Sequence, residues 1–194
     1  MTCSMPHVRP VLRLSYVKLS IGFATLLSLS GSLAAYASEE RMENKWVVDY
    51  QDEESVWASV NGKVTHGDRL RLRLHKSDCS SAQAITTVLS HINVEDQLQD
   101  GYLLNGAFME NRADFEILFT TPFFDQGSLT WVELGRGDVD AFLGLLTSQS
   151  DISFRILDGD DYKSTEHFTV PLNRWATEGL IQAVDEAKEI CSQL

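Results

Sequence analysis

Arg69, Arg71 and Arg73 alternate with Leu70, Leu72 and Leu74 in the run RLRLRLH. Side chains two apart on a β-strand share a face at a separation of about 6.5 to 7 Å, so the row could bind an anionic polymer or an acidic ligand through charge-assisted hydrogen bonds. In an acidic chain the expected use is different: cross-strand pairing with carboxylates such as Glu116 or Glu133 on a solvated sheet face. Phe123 and Phe124 follow Pro122, which should end a strand. An exposed aromatic pair at a sheet end would be a contact site, although core packing is the commoner fate of such residues. Asp158, Asp160 and Asp161 share a loop with Gly159, and Glu166 lies beyond. Hard oxygen ligands suit Ca²⁺, but their order departs from the EF-hand loop, which favours an ordinary polar hairpin.

Nucleophilic and metal chemistry find little support. The histidines after residue 37 are His66, His75, His91 and His167, and none stands three or four residues from another, the spacing a helical zinc site would use. His75, Asp78 and Cys79 are near enough in sequence to suggest a nucleophile with its base. The cysteine is better explained as half of a disulfide with Cys191. No nucleophile elbow, HExxH helix, phosphate-binding glycine loop or dinucleotide fingerprint is present, so no catalytic residue, metal ligand or cofactor is assigned.

Charge and compartment narrow the partners. The chain carries 28 acidic and 16 basic residues. Arg9, Arg13 and Lys18 precede an apolar stretch from Leu19 to Leu33 and the small-residue run Ala34-Ala35-Tyr36-Ala37, the pattern of a signal peptide spanning 1–37. The stretch is short for the roughly 20 residues that cross a bilayer core. Cleavage after Ala37 should release a strongly acidic chain into the periplasm or the medium, with no stable membrane insertion. A field of that sign repels nucleic acid and favours cationic partners. Cys3 leaves with the signal, and Cys79 and Cys191, 112 residues apart, can pair only with each other in an oxidising compartment. Two unpaired buried thiols are the alternative.

The elements that must position these residues are short and mostly β. A polar lead-in over 38–44 precedes a single β-rich domain over 45–194. Trp46 to Tyr50 and Ser55 to Val60 read as strands, with Asn61-Gly62 as a hairpin dipeptide. Arg69 to His75 is the clearest strand, its leucines on a buried face. Ala84 to Ile92 suits a strand, with helix open as an alternative. Tyr102 to Met109, Phe115 to Thr120 and Leu129 to Leu134 read as a meander, with a turn over Glu110 to Asp114. Asp138 can cap a short helix with Val139, Phe142, Leu143 and Leu146 on one face. Ile152 to Leu157 and Glu166 to Leu172 suggest a hairpin. A helix from about Asn173 buries Leu180, Val184, Ala187 and Cys191. Trp46, Trp57, Trp131 and Trp175 fall inside these elements and are expected to be structural. The fold class is mainly β (α+β): an antiparallel β-sandwich or curled sheet, with one short internal helix and a C-terminal helix packed on it.

The short helix, the hairpin ending in Phe168-Thr169-Val170-Pro171-Leu172 and the helix closing on Cys191 together resemble the end of the invasion-associated locus B family. More loosely, they resemble the VasI accessory proteins of type VI secretion. The likeness covers Asp138 to Cys191, with Trp46 and Cys79 as further matches near the front. It implies an exported, non-enzymatic β-sandwich associated with the bacterial envelope. The expected function is that of an exported binding or accessory protein of the envelope, with an unknown protein or small ligand as partner. A small periplasmic hydrolase is the alternative.

Overall fold

A computed structural model describes residues 44–64, 68–91, 98–122 and 127–194. The expected signal segment, His66, Phe123 and Phe124 lie outside the described residues. Nine antiparallel strands form one sheet: β1 (Val47–Gln51), β2 (Ser55–Asn61), β3 (Arg69–His75), β4 (Asp78–Ser90), β5 (Leu103–Phe108), β6 (Asn111–Pro122), β7 (Ser128–Asp138), β8 (Asp151–Ile156) and β9 (Leu172–Ala176), in the spatial order β1-β2-β3-β4-β7-β6-β5-β8-β9. Helices α1 (Val139–Leu146), α2 (Ser164–His167) and α3 (Leu180–Cys191) complete the chain. None of the described helices is long and apolar enough to cross a membrane.

Period two dictates the two faces of the sheet. Leu70, Leu72 and Leu74 are all fully buried, opposite Val56, Ala58, Val60, Ala82 and Ala84 on the neighbouring strands. Each of these leucines contributes about 1.5 to 3 kcal/mol through burial. Helix α3 covers this face over β1, β2 and β3, burying Leu180, Val184, Ala187 and Cys191 as its 3.6-residue period requires. Cys191 is bonded to Cys79 at the start of β4, with a Cα separation of 5.8 Å. The disulfide therefore ties the last helix to the sheet.

The sheet curls without closing. Beyond β2 the Lys63 N–H donates to the Arg174 carbonyl of β9 at 2.7 Å, and the Trp175 indole donates to the Asp68 carbonyl at 3.0 Å. Gly62 permits this approach, since a Cβ there would collide with the Asn173 side chain and the Asp68 carbonyl. Asn61-Gly62 is thus not the tight hairpin its dipeptide suggests, because the chain runs on to meet β9 before β3 begins.

Other boundaries also move. The β5–β6 turn is Met109-Glu110 rather than Glu110 to Asp114, with both residues at positive φ, 49° and 68°. This is a two-residue hairpin turn without its usual Gly or Asn. Burial of Met109 and a 2.9 Å bond from its N–H to the Ser153 carbonyl hold it there. Of residues Glu166 to Leu172 only the end pairs with β8, where Leu172 stands opposite Arg155 and the Pro171 carbonyl accepts from the Ile156 N–H at 2.7 Å. Their first part forms α2, and Phe168 and Thr169 lie along the end of β4, where the Thr169 N–H donates to the Leu89 carbonyl at 3.0 Å. Strand β9 begins only at Leu172, so the final helix starts at Leu180 after Gly179 (φ 77°), not at Asn173. Buried Asn173 and Trp175 alternate with exposed Arg174, the period of a strand. Asp138 does cap α1, its Oδ1 accepting from the Ala141 N–H at 2.9 Å.

Candidate functional site: an arginine and tryptophan trough

The face of the sheet opposite α3 carries the arginine row. In register across it stand Tyr50, Trp57, Arg73, Gln83 and Arg136, then Ser59, Arg71, Ile85 and Glu133, then Thr87, Trp131 and Phe119. Trp57 and Trp131 lean together until their rings meet edge to face at 6.4 Å between centroids. The Arg71 guanidinium carbon lies 4.5 Å from the centroid of Trp131, and that of Arg73 lies 5.5 Å from the centroid of Trp57. Phe119 stacks on Trp131 at 5.0 Å, and Tyr50 meets Trp57 edge-on at 5.9 Å. Two adjoining hollows of about 760 and 370 Å³ share Trp57 and Trp131 in their walls, within the size range of ligand pockets.

Electrostatically the row is uneven. Arg69 pairs with Asp49 at 2.6 Å and donates to the Asn61 side chain at 2.7 Å. Among the described residues, neither Arg71 nor Arg73 forms an ion pair. Arg71 has only long contacts, 3.4 Å to the Arg69 carbonyl and 3.3 Å to the Thr87 hydroxyl. Burial pulls its guanidinium down to about 10; the neighbouring Arg69 charge adds to the effect and Asp49 opposes it. The Arg73 Nε and Trp131 Nε1 are out of contact with solvent and have no hydrogen-bond partner, a costly state for a donor.

Pairing of the row with Glu116 or Glu133 does not occur. Glu133 instead accepts from Gln83 Nε2 at 2.5 Å and pairs with Arg136 at 3.3 Å. The other carboxylates at the rim are likewise engaged. Asp49 accepts from Ser59 and Arg69, Asp52 from Ser55 and the Glu54 N–H, and Asp78 from Ser80 and Ser81. Backbone and hydroxyl donors hold the Asp52 and Asp78 carboxyls below the usual range, the Glu54 N–H leading for the first and the Ser80 hydroxyl for the second. Those acids hold themselves in place, and among the described residues none lies within ion-pair distance of the two floor guanidinium groups.

The remaining candidates lie apart. In the acidic loop, Asp158 accepts from the Ser164 N–H at 2.9 Å and the Ser164 hydroxyl at 3.0 Å, anchoring α2, while Asp161 accepts from the Tyr102 hydroxyl at 2.6 Å. No group of three His, Cys, Asp or Glu able to hold a metal occurs among the described residues. Trp46 and Trp175 are core, as expected, whereas Trp57 and Trp131 belong to the trough. At the trough rim His75 places Nδ1 2.9 Å from the Ser77 hydroxyl and Nε2 3.6 Å from Glu54. That is the order of a nucleophile, base and acid, but all three are exposed to water and Glu54 is also paired to Lys76 at 2.6 Å. A further hollow of about 410 Å³ beside Leu98, Gln99, Asp100 and Thr120 has no cation among its described lining residues.

The fold defines the molecule as a curled antiparallel sheet with one helix-covered face and one arginine-bearing face. Comparison with protein-family models, curated proteins and solved structures found no match.

Proposed function

We propose that the protein is an exported binding protein of the bacterial envelope, and that the trough over β2, β3, β4 and β7 takes an anionic ligand. One observation carries the reading: Arg71 is desolvated to the point of a lowered pKa and yet, among the described residues, has no carboxylate within ion-pair distance. A desolvated cation without a direct ion pair costs stability, and a cost of that kind is characteristic of a binding site. The paired rim acids explain how a chain of formal charge −12 can hold such a site without collapsing it onto its own carboxylates. Export is supported by the pattern of residues 1–37 and by the Cys79–Cys191 bond, which suits an oxidising compartment. The likeness of Asp138 to Cys191 to the locus B proteins agrees with it.

D-Glucuronate is a suitable probe, since it presents one carboxylate on a hydroxylated ring. Millimolar glucuronate should raise the melting temperature of the wild type and leave that of an Arg71→Gln/Arg73→Gln double variant unchanged. Equal behaviour of the two proteins would refute the anion reading. For export, the intact mass of protein recovered outside the cytoplasm should correspond to a chain beginning at Ser38; a full-length, membrane-bound chain would contradict it.

The second reading is a hydrolase, favoured by the Glu54, His75 and Ser77 array alone. It lacks desolvation, a feature that makes such an array effective. Turnover of an activated ester that disappears in Ser77→Ala would establish it.

A further inference from the structure

The trough is longer than a single anion needs. It crosses β1, β2, β3, β4, β7 and β6 from Tyr50 to Phe119, a span of roughly 20 to 25 Å at the usual strand spacing. Its two ends are aromatic and open to solvent, Tyr50 being 52% and Phe119 40% exposed. Its floor carries the guanidinium groups of Arg71 and Arg73, set against the rings of Trp131 and Trp57. Its rim offers acceptors, the carboxylates of Asp49, Asp52, Asp78 and Glu133, each with lone pairs beyond those already used.

These features select among anions. A polymer charged at every unit would set its charges against the four rim carboxylates. A peptide crossing the sheet face could not use the strand edges for backbone pairing, the usual source of affinity for an extended chain. A ligand with widely spaced carboxylates, many hydroxyl donors and flat C–H faces meets all three requirements at once. Its carboxylate takes the floor guanidinium groups, its hydroxyls donate to the rim acids, and its rings lie on Tyr50 and Phe119. Resting on the anion reading of the trough, we propose that the ligand is an acidic oligosaccharide of several rings with a carboxylate on only some of them.

Hyaluronan oligomers, with a carboxylate on alternate rings, test this by titration calorimetry. The hexasaccharide should bind at least about tenfold more tightly than glucuronate, a difference of about 1.4 kcal/mol. Tyr50→Ala/Phe119→Ala should weaken hexasaccharide binding by a larger factor than glucuronate binding, and a neutral chitin hexamer should not bind. A hexasaccharide no tighter than glucuronate, or a hexaglutamate peptide that matches it, would overturn the glycan assignment while leaving the anion site standing. If neither glucuronate nor any oligomer binds, both readings fall together.

Discussion

Arg71 and Trp131 form a cation and ring pair, 4.5 Å from guanidinium carbon to ring centroid, in which the cation has no carboxylate within ion-pair distance among the described residues. The contact is worth about 0.5 to 2 kcal/mol. Burial of the charge opposes it.

Because the desolvation cost exceeds this gain, Arg71→Met should fold to a protein as stable as the wild type or more stable by about 1 kcal/mol. Urea denaturation of the two proteins measures it. The same variant should lose glucuronate binding. A loss of several kcal/mol in stability would instead make the Arg71–Trp131 pair a structural fastening.

Asp68 should make stability depend on pH. Its side chain is 1% exposed and neither carboxylate oxygen meets hydrogen-bonding geometry with a donor. Burial pushes its pKa up to about 7, against smaller lowering by the Leu89 N–H and the Asn173 amide. Between about pH 4 and 7 the folded chain therefore keeps a proton that the unfolded chain has released. Its contribution is fully present below about pH 4, falls as pH rises through this window and levels off above about 7, with a total of no more than about 4 kcal/mol. Asp68→Asn should flatten that slope and stabilise the protein at pH 8, as read from melting temperature against pH in both proteins. An unchanged slope would contradict the assignment.

The disulfide should matter most to the helix-covered face. Replacing Cys79 and Cys191 with Ser should lower stability by about 2 to 5 kcal/mol, and reduction of the wild type should have a similar effect. Hydrogen exchange should show α3 losing protection before the strands of β3 and β4. Uniform loss across the sheet would mean that the helix is not the element the bond secures.

Much of this arrangement is legible in the sequence where the period is local. Leu70 to Leu74, the cap at Asp138 and the stripe from Leu180 to Cys191 each carry their own signal, and the two periodicities bring Cys79 and Cys191 together as expected. The trough needed one more step along the same line. In β2, Trp57 alternates with buried Val56 and Ala58, and in β7, Trp131 alternates with buried Thr130 and Val132. Both tryptophans therefore fall on the polar face, the face of the arginines. What no local pattern reveals is adjacency. Strand β4 pairs with β7 rather than β5, so Trp131 arrives beside Thr87 from 44 residues away along the chain. Asp49 likewise reaches Arg69 across β2, over 20 residues. The turn at Met109 and Glu110 carries no local signal because burial and a contact with β8 hold it, not turn-forming residues.

The indole N–H resonances of the four tryptophans test the central claim most directly. Trp46 and Trp175 donate to the Ala176 and Asp68 carbonyls in the core, and Trp57 donates to the Ser55 hydroxyl beside the trough, whereas the Trp131 N–H is buried and unpartnered and its ring lies between Arg71 and Phe119 in the trough. In a ¹⁵N-labelled titration with the hyaluronan hexasaccharide, the Trp131 indole peak should move most and Trp57 next, while Trp46 and Trp175 stay in place. Shifts spread equally over all four, or none at Trp131, would contradict a binding site on the arginine face.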